Sequence, residues 1–91
     1  MKSLAWQIEW HPEALRELKA LDYDVQLKIR SYLMDRAAVS PYYLSENIMG
    51  DGSGLFRYRI GNHRIICRLV DNRIVISVIK IGYRNKTYYS D

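Results

Sequence analysis

The chain has 91 residues, 48% hydrophobic and 26% charged, which is the make-up of one small domain over residues 1–91. It is too short for a two-domain enzyme with its own cofactor fold and too apolar for a disordered chain. The net charge of +4 is unevenly spread: Met1–Leu55 holds six Lys/Arg against eight Asp/Glu, whereas Phe56–Asp91 holds eight against two, so a polyanionic partner for the C-terminal half is expected.

In chain order, Leu4, Trp6, Ile8 and Trp10 alternate with polar residues, the period of a half-buried strand. His11-Pro12 stops it, with Pro12 suited to the first position of a helix. That helix is expected over Glu13–Leu21, its inward face made of Ala14, Leu15, Leu18 and Leu21. Asp22 is placed to cap a second helix running to Ala37 or Ala38, with Val25, Ile29, Tyr32, Leu33 and the stem of Arg36 facing inward. The short link makes the pair an antiparallel hairpin, ended by Ser40-Pro41. Pro41–Gly54 has no period; Asp51-Gly52-Ser53-Gly54 reads as a connecting loop, since no P-loop lysine follows and a strand comes next.

Leu55–Ile60, His63–Val70 and Arg73–Ile79 are three alternating runs rich in β-formers. Gly61-Asn62, with glycine first, suits a type II′ turn, and Asp71-Asn72 is expected to be a second two-residue turn. The fold class is therefore α+β: an N-terminal strand, a two-helix hairpin, then a three-stranded antiparallel meander with the helices on one face.

Two-residue turns fix register, so opposed residues can be computed. Arg59 faces Arg64, Arg57 faces Ile66, Cys67 faces Ile76, Arg68 faces Val75 and Ile66 faces Ser77. One face then carries Phe56, Tyr58, Ile60, Ile65, Cys67, Leu69, Ile74, Ile76 and Val78 as core. The other carries Arg57, Arg59, Arg64 and Arg68 among Ile66, Val75, Ser77 and Ile79, with no acidic residue in that register. Opposed like charges destabilise a strand pair, so four guanidiniums without a counterion point to a phosphate site. The alternative is that helix carboxylates or the irregular Pro41–Gly54 segment fold across and neutralise them, which is less expected because the helices belong to the other face. Arg84 and Lys86 beside Tyr83, Tyr88 and Tyr89 add the basic-aromatic mixture that holds phosphates and stacks bases.

His63, at a hairpin end on the core side, is expected to pack, and Cys67 to be an inert buried thiol. One cysteine and two histidines make neither a disulfide nor a metal cluster, so no metal or cofactor is expected. No apolar run approaches the ~18–20 residues of a membrane span, and no signal-peptide segment follows Met1, so a cytoplasmic location without membrane contact is expected.

The pattern Leu55-x-Arg57-x-Arg59-x-Gly61-x-x-Arg64, a β run, then Gly82-Tyr83-Arg84 and Tyr88 resembles the RelE/ParE superfamily of toxin–antitoxin toxins. His11-Pro12-Glu13-Ala14 and Ser40-Pro41 are similar to the same family, which usually has a small hydroxyl residue where His11 stands. The RelE branch implies a ribosome-dependent mRNA interferase: in the A site, a 2′-hydroxyl attacks the adjacent phosphorus and leaves a cyclic phosphate and a 5′-hydroxyl. By position, Arg59, Arg64, Arg84 and Tyr88 would be catalytic, with Arg64 on the transition-state charge, Arg84 near the leaving group and Tyr88 on the base. Arg57, Arg59, Arg68, Lys86 and Tyr89 would bind RNA. Arg57 and Arg59 are lysine in some members, and arginine is a poor general base, which leaves the base open among Tyr88, Tyr89 and a ribosomal group. The resemblance also implies a cognate antitoxin, the 70S ribosome and mRNA as partners, and operator DNA only through the antitoxin complex. The ParE branch, which acts on DNA gyrase, tends to have a longer helical hairpin and to lack the late Arg–Tyr pair. A non-catalytic nucleic-acid-binding module is a third expectation for the same face.

Overall fold

The computed structural model describes residues 5–48 and 54–83. The alternating aromatic run builds β1 (Gln7–Trp10), with Trp6, Ile8 and Trp10 packed against the core and Leu4 outside the described residues. Pro12 opens α1 (Pro12–Lys19) at its first turn, and Ala14 and Leu18 are fully buried. The helix ends two residues before the expected Leu21. The Ala20 N–H is shared between the Arg16 and Glu17 carbonyls and the Leu21 N–H turns back to Leu18, a tightened last turn.

Asp22 precedes α2 (Tyr23–Tyr32) as expected, but makes no side-chain cap; its carbonyl accepts the Gln26 N–H. The helical path continues to Ala37 through a π turn, Leu33–Ala37, closed by the Ala38 N–H on the Leu33 carbonyl at 2.8 Å. The wider turn shifts the helix phase, so Ala37 and Ala38 enter the core. Arg36, expected inward, is instead exposed, with its guanidinium 5.5 Å over the Tyr32 ring.

The sheet has five strands in the order β1-β5-β4-β3-β2, where β2 is Glu46–Asn47, β3 Leu55–Ile60, β4 His63–Val70 and β5 Val75–Tyr83. The β3–β4 hairpin has the expected register, Arg59 opposite Arg64 and Ile60 opposite His63. Gly61 takes φ 60°, as the first position of a II′ turn requires.

The second hairpin differs. Asp71–Arg73 forms a 3₁₀ turn, the Ile74 N–H reaches the Asp71 carbonyl at 3.2 Å, and Ile74 is left-handed at φ 56°. The connection is thus four residues, and Cys67 faces Val78 rather than Ile76, and Arg68 faces Ser77 rather than Val75. A shift of two residues preserves the faces, because side chains alternate with period two. Farther along, a bulge between Ile66 and Cys67 places Ile66 opposite Lys80 rather than Ser77, and β5 runs on to Tyr83 instead of ending at Ile79.

Ala14, Leu18, Ile29 and Leu33 from the helices pack on Tyr58, Ile65, Cys67, Ile76 and Val78 of the sheet. Ile74, expected among them, is only half-buried in its turn. Beyond β1, α1 covers the edge of β5: the Ile81 N–H donates to Glu17 Oε1 at 2.8 Å, and Lys80 Nζ is held by Glu13 (2.8 Å) and Glu17 (3.1 Å). Among the described residues no helix is long and apolar enough to cross a membrane.

Candidate phosphate-binding face

Strand pairing brings the arginines together on the sheet face opposite the helices. One cross-strand row runs Glu46, Arg57, Ile66, Lys80 across β2, β3, β4 and β5. The next, two residues along β3, runs Arg59, Arg64, Gly82. On the other side lie Leu55, Arg68 and Ser77, continued by Glu9 of β1. Three neighbouring rows therefore carry four guanidiniums.

The expectation of a face without acidic residues is overturned. Glu46, supplied by β2, bridges two of the arginines: Arg57 holds Oε1 through Nε (3.1 Å) and Nη2 (2.9 Å), and Arg59 Nη2 holds Oε2 at 2.8 Å. Hydrogen bonds from Arg59 and then Arg57 keep the Glu46 carboxyl below the usual carboxylate range. The Arg57 side chain is 14% exposed, Arg59 57% and Glu46 42%, so the bridge lies open to solvent on the Arg59 side. Arg64 is half-buried and, among the described residues, its side chain makes no ion pair or hydrogen bond. Arg68 is exposed on the neighbouring row. The face thus carries four guanidiniums, with Glu46 bridging Arg57 and Arg59 and Glu9 on the row of Arg68.

Glu46 is positioned by the segment that has no period in the sequence. The buried Tyr58 hydroxyl donates to the Pro41 carbonyl at 2.7 Å, and Tyr42 donates to Asp71 Oδ1 at 2.6 Å. Tyr42 also meets Trp6 and Phe56 edge-on, with ring centroids 6.0 and 5.3 Å away. These contacts seat residues 41–47 along β3, where a two-residue strand is enough to present one carboxylate. Sequence reasoning missed Glu46 because two residues show no alternation; the opposed arginines, which call for a counterion, were the available signal.

Arg57, Arg59, Arg64 and Arg68 share this face. Arg84, Lys86, Tyr88 and Tyr89 lie outside the described residues. His63 is half-buried at the hairpin end, its ring edge-on to Tyr83 at 5.2 Å. Cys67 is fully buried, and burial pushes its thiol well above the usual range, which makes it inert at neutral pH. A separate groove of about 520 Å³ between β1 and α2 is lined by Trp6, Ile8, Trp10, Arg30 and Met34, with Arg30 5.8 Å over the Trp10 ring. Its lining includes no carboxylate, histidine or thiol, so it has no acid–base chemistry to offer.

Among solved structures, the fold is similar to a chain of the RelBE2 toxin–antitoxin complex of Mycobacterium tuberculosis (TM-score 0.81, 16% identity, covering 93% of this chain and 98% of that one). It is also similar to the archaeal RelE–RelB complex of Pyrococcus horikoshii OT3 (0.77, 19%, 91% and 99%) and to the isolated RelE toxin of E. coli (0.65, 24%, 94% and 88%). No curated protein gives a significant match to the sequence. Residues 8–88 match the family described as ParE toxin of type II toxin-antitoxin system, parDE. That match reaches from within β1 to beyond the end of β5, and with the shared RelE fold it leaves one assignment: the chain belongs to the ParE toxin family of type II toxin–antitoxin systems, within the RelE/ParE superfamily.

Proposed function

We propose that this toxin acts on messenger RNA in the ribosomal A site, as a ribosome-dependent endoribonuclease that inhibits translation. The observation that carries the reading is Arg64: a half-buried guanidinium opposite Arg59, without an ion pair among the described residues, on a face of four arginines. Same-sign crowding of this kind disfavours folding and favours a phosphate ligand. In the proposed reaction the 2′-hydroxyl attacks the adjacent phosphorus, the P–O5′ bond breaks, and the products are a 2′,3′-cyclic phosphate and a 5′-hydroxyl. Arg64, with Arg59, stabilises the charge that builds on the phosphorane oxygens. Arg57 and Arg68 hold flanking phosphates, and Lys86 and Tyr89 extend that contact. Arg84 serves the leaving oxygen and Tyr88 orients the base. The proton acceptor is one of the tyrosines or a ribosomal group. A cognate antitoxin binds the toxin, restrains it in the cytoplasm and links it to operator DNA.

The second reading, inhibition of DNA gyrase, is favoured by the family to which residues 8–88 match. Purified toxin in a reconstituted translation reaction distinguishes the two. Message fragments ending at A-site codons are expected, and Arg64→Ala should abolish them. Gyrase-trapped DNA cleavage with intact message would overturn the ribonuclease reading. Because Arg64→Ala relieves repulsion from Arg59 and Arg64 makes no ion pair with described residues, its melting temperature should stay within about 2 °C of wild type or rise. A marked fall would make Arg64 structural.

A further inference from the structure

We infer that the Glu46 carboxylate occupies the seat of a phosphodiester and is displaced when nucleic acid binds, so that the arginine face selects a phosphate chain over isolated anions. The inference rests on reading this face as a phosphate site. A carboxylate and a phosphodiester offer guanidinium groups the same pair of anionic oxygens. Here each carboxylate oxygen is claimed by a different arginine, Oε1 by Arg57 at 2.9 and 3.1 Å and Oε2 by Arg59 at 2.8 Å. That is the arrangement two non-bridging phosphate oxygens would take.

The seat is built to be vacated. Glu46 stands on a two-residue strand at the outer edge of the sheet, and its side chain is 42% exposed. It can therefore swing into water without disturbing the central pairings of β3, β4 and β5. What replaces it must supply more than one negative group. A single small anion only exchanges with Glu46 for Arg57 and Arg59. A chain of phosphates also reaches Arg64, directly across from Arg59, which Glu46 does not touch. The bridge thus holds two guanidiniums in place and lowers the affinity for lone anions by the same contact.

The alternative role for Glu46 is to position the arginines permanently, and the two roles have opposite signs. Inorganic phosphate is titrated into wild type, Glu46→Gln and Glu46→Ala, following the arginine Nε–H signals by NMR. Asp35→Asn, on the exposed π turn, controls for net charge. Displacement predicts that both Glu46 variants bind phosphate about tenfold more tightly, with less than about twofold for Asp35→Asn. Combining Glu46→Gln with Arg59→Ala should remove the gain. Unchanged or weaker phosphate binding in folded Glu46→Gln would overturn the inference. The same proteins are tested with a single-stranded 2′-O-methyl RNA, which cannot be cleaved. Tighter phosphate binding with no RNA binding in any of them would leave the displaceable seat standing and bring down the nucleic-acid reading instead.

Discussion

Ile74 holds φ 56° and ψ 52°, a left-handed conformation that crowds a β-branched side chain against its own backbone. The position costs about 1–2 kcal/mol, and half-burial of the side chain returns roughly 1 kcal/mol. Ile74→Gly should therefore leave the melting temperature unchanged or a few degrees higher. Ile76→Ala, at a fully buried site two residues on, should cost about 2–5 kcal/mol. Equal losses measured by chemical denaturation would show that the turn depends on the isoleucine. The sequence disguises this residue, because Ile74, Ile76 and Val78 alternate as one strand and only the register separates the first from the rest. Arg59 and Arg64 were legible for the opposite reason: a tight Gly61-Asn62 turn leaves one possible partner for each. Glu46 was not, since its role comes from a pairing 11 residues away that no local pattern announces.

Elements with a period were read correctly in kind, and those without one were not. Both helices and strands β3 and β4 carry several apolar repeats, enough to average over local exceptions. β2 has two residues and reads as loop; β5 reads as a strand, but its run to Tyr83 is hidden by the bulge, which breaks the alternation so that Val78 and Ile81 are both buried three positions apart. The segment leading to β2 is fastened instead by hydroxyls. Donation from Tyr42 to the Asp71 carboxylate pushes its ionisation up to about 12, from an unfolded value near 10. The raised value means the fold favours the protonated phenol. Its contribution is complete below pH 10 and lost as pH rises through about 12. Wild type should thus melt above Tyr42→Phe at pH 8, with the gap closing toward pH 12. A gap that persists there would show that aromatic packing with Trp6 and Phe56, not the hydrogen bond, fastens the segment. At the buried end, Tyr58→Phe leaves the Pro41 carbonyl without its donor and should cost about 1–2 kcal/mol.

Across the whole molecule, the acidic N-terminal half neutralises much of the basic C-terminal half. Glu9 pairs with Arg73, Glu13 and Glu17 clasp Lys80, and Glu46 spans Arg57 and Arg59. The charge split between the halves is therefore in part a map of tertiary ion pairs. What survives on the sheet face is a cluster of three guanidiniums, Arg57, Arg59 and Arg64, with the Glu46 carboxylate bridging the first two. Each phosphate neutralised on a single strand contributes about −0.7 to the slope of log affinity against log salt, so three contacts give a slope of about −2 or steeper. Binding of a non-cleavable single-stranded RNA, followed by fluorescence anisotropy at rising salt, should show that slope. Arg64→Ala should flatten it by about 0.7, because one phosphate contact is lost. Arg73→Ala, whose partner is Glu9 and which lies in the turn before β5, should leave it unchanged. If the two variants alter the slope equally, general positive charge rather than the arginine face governs the encounter, and the specific arrangement of Arg57, Arg59 and Arg64 loses its claim to the phosphate.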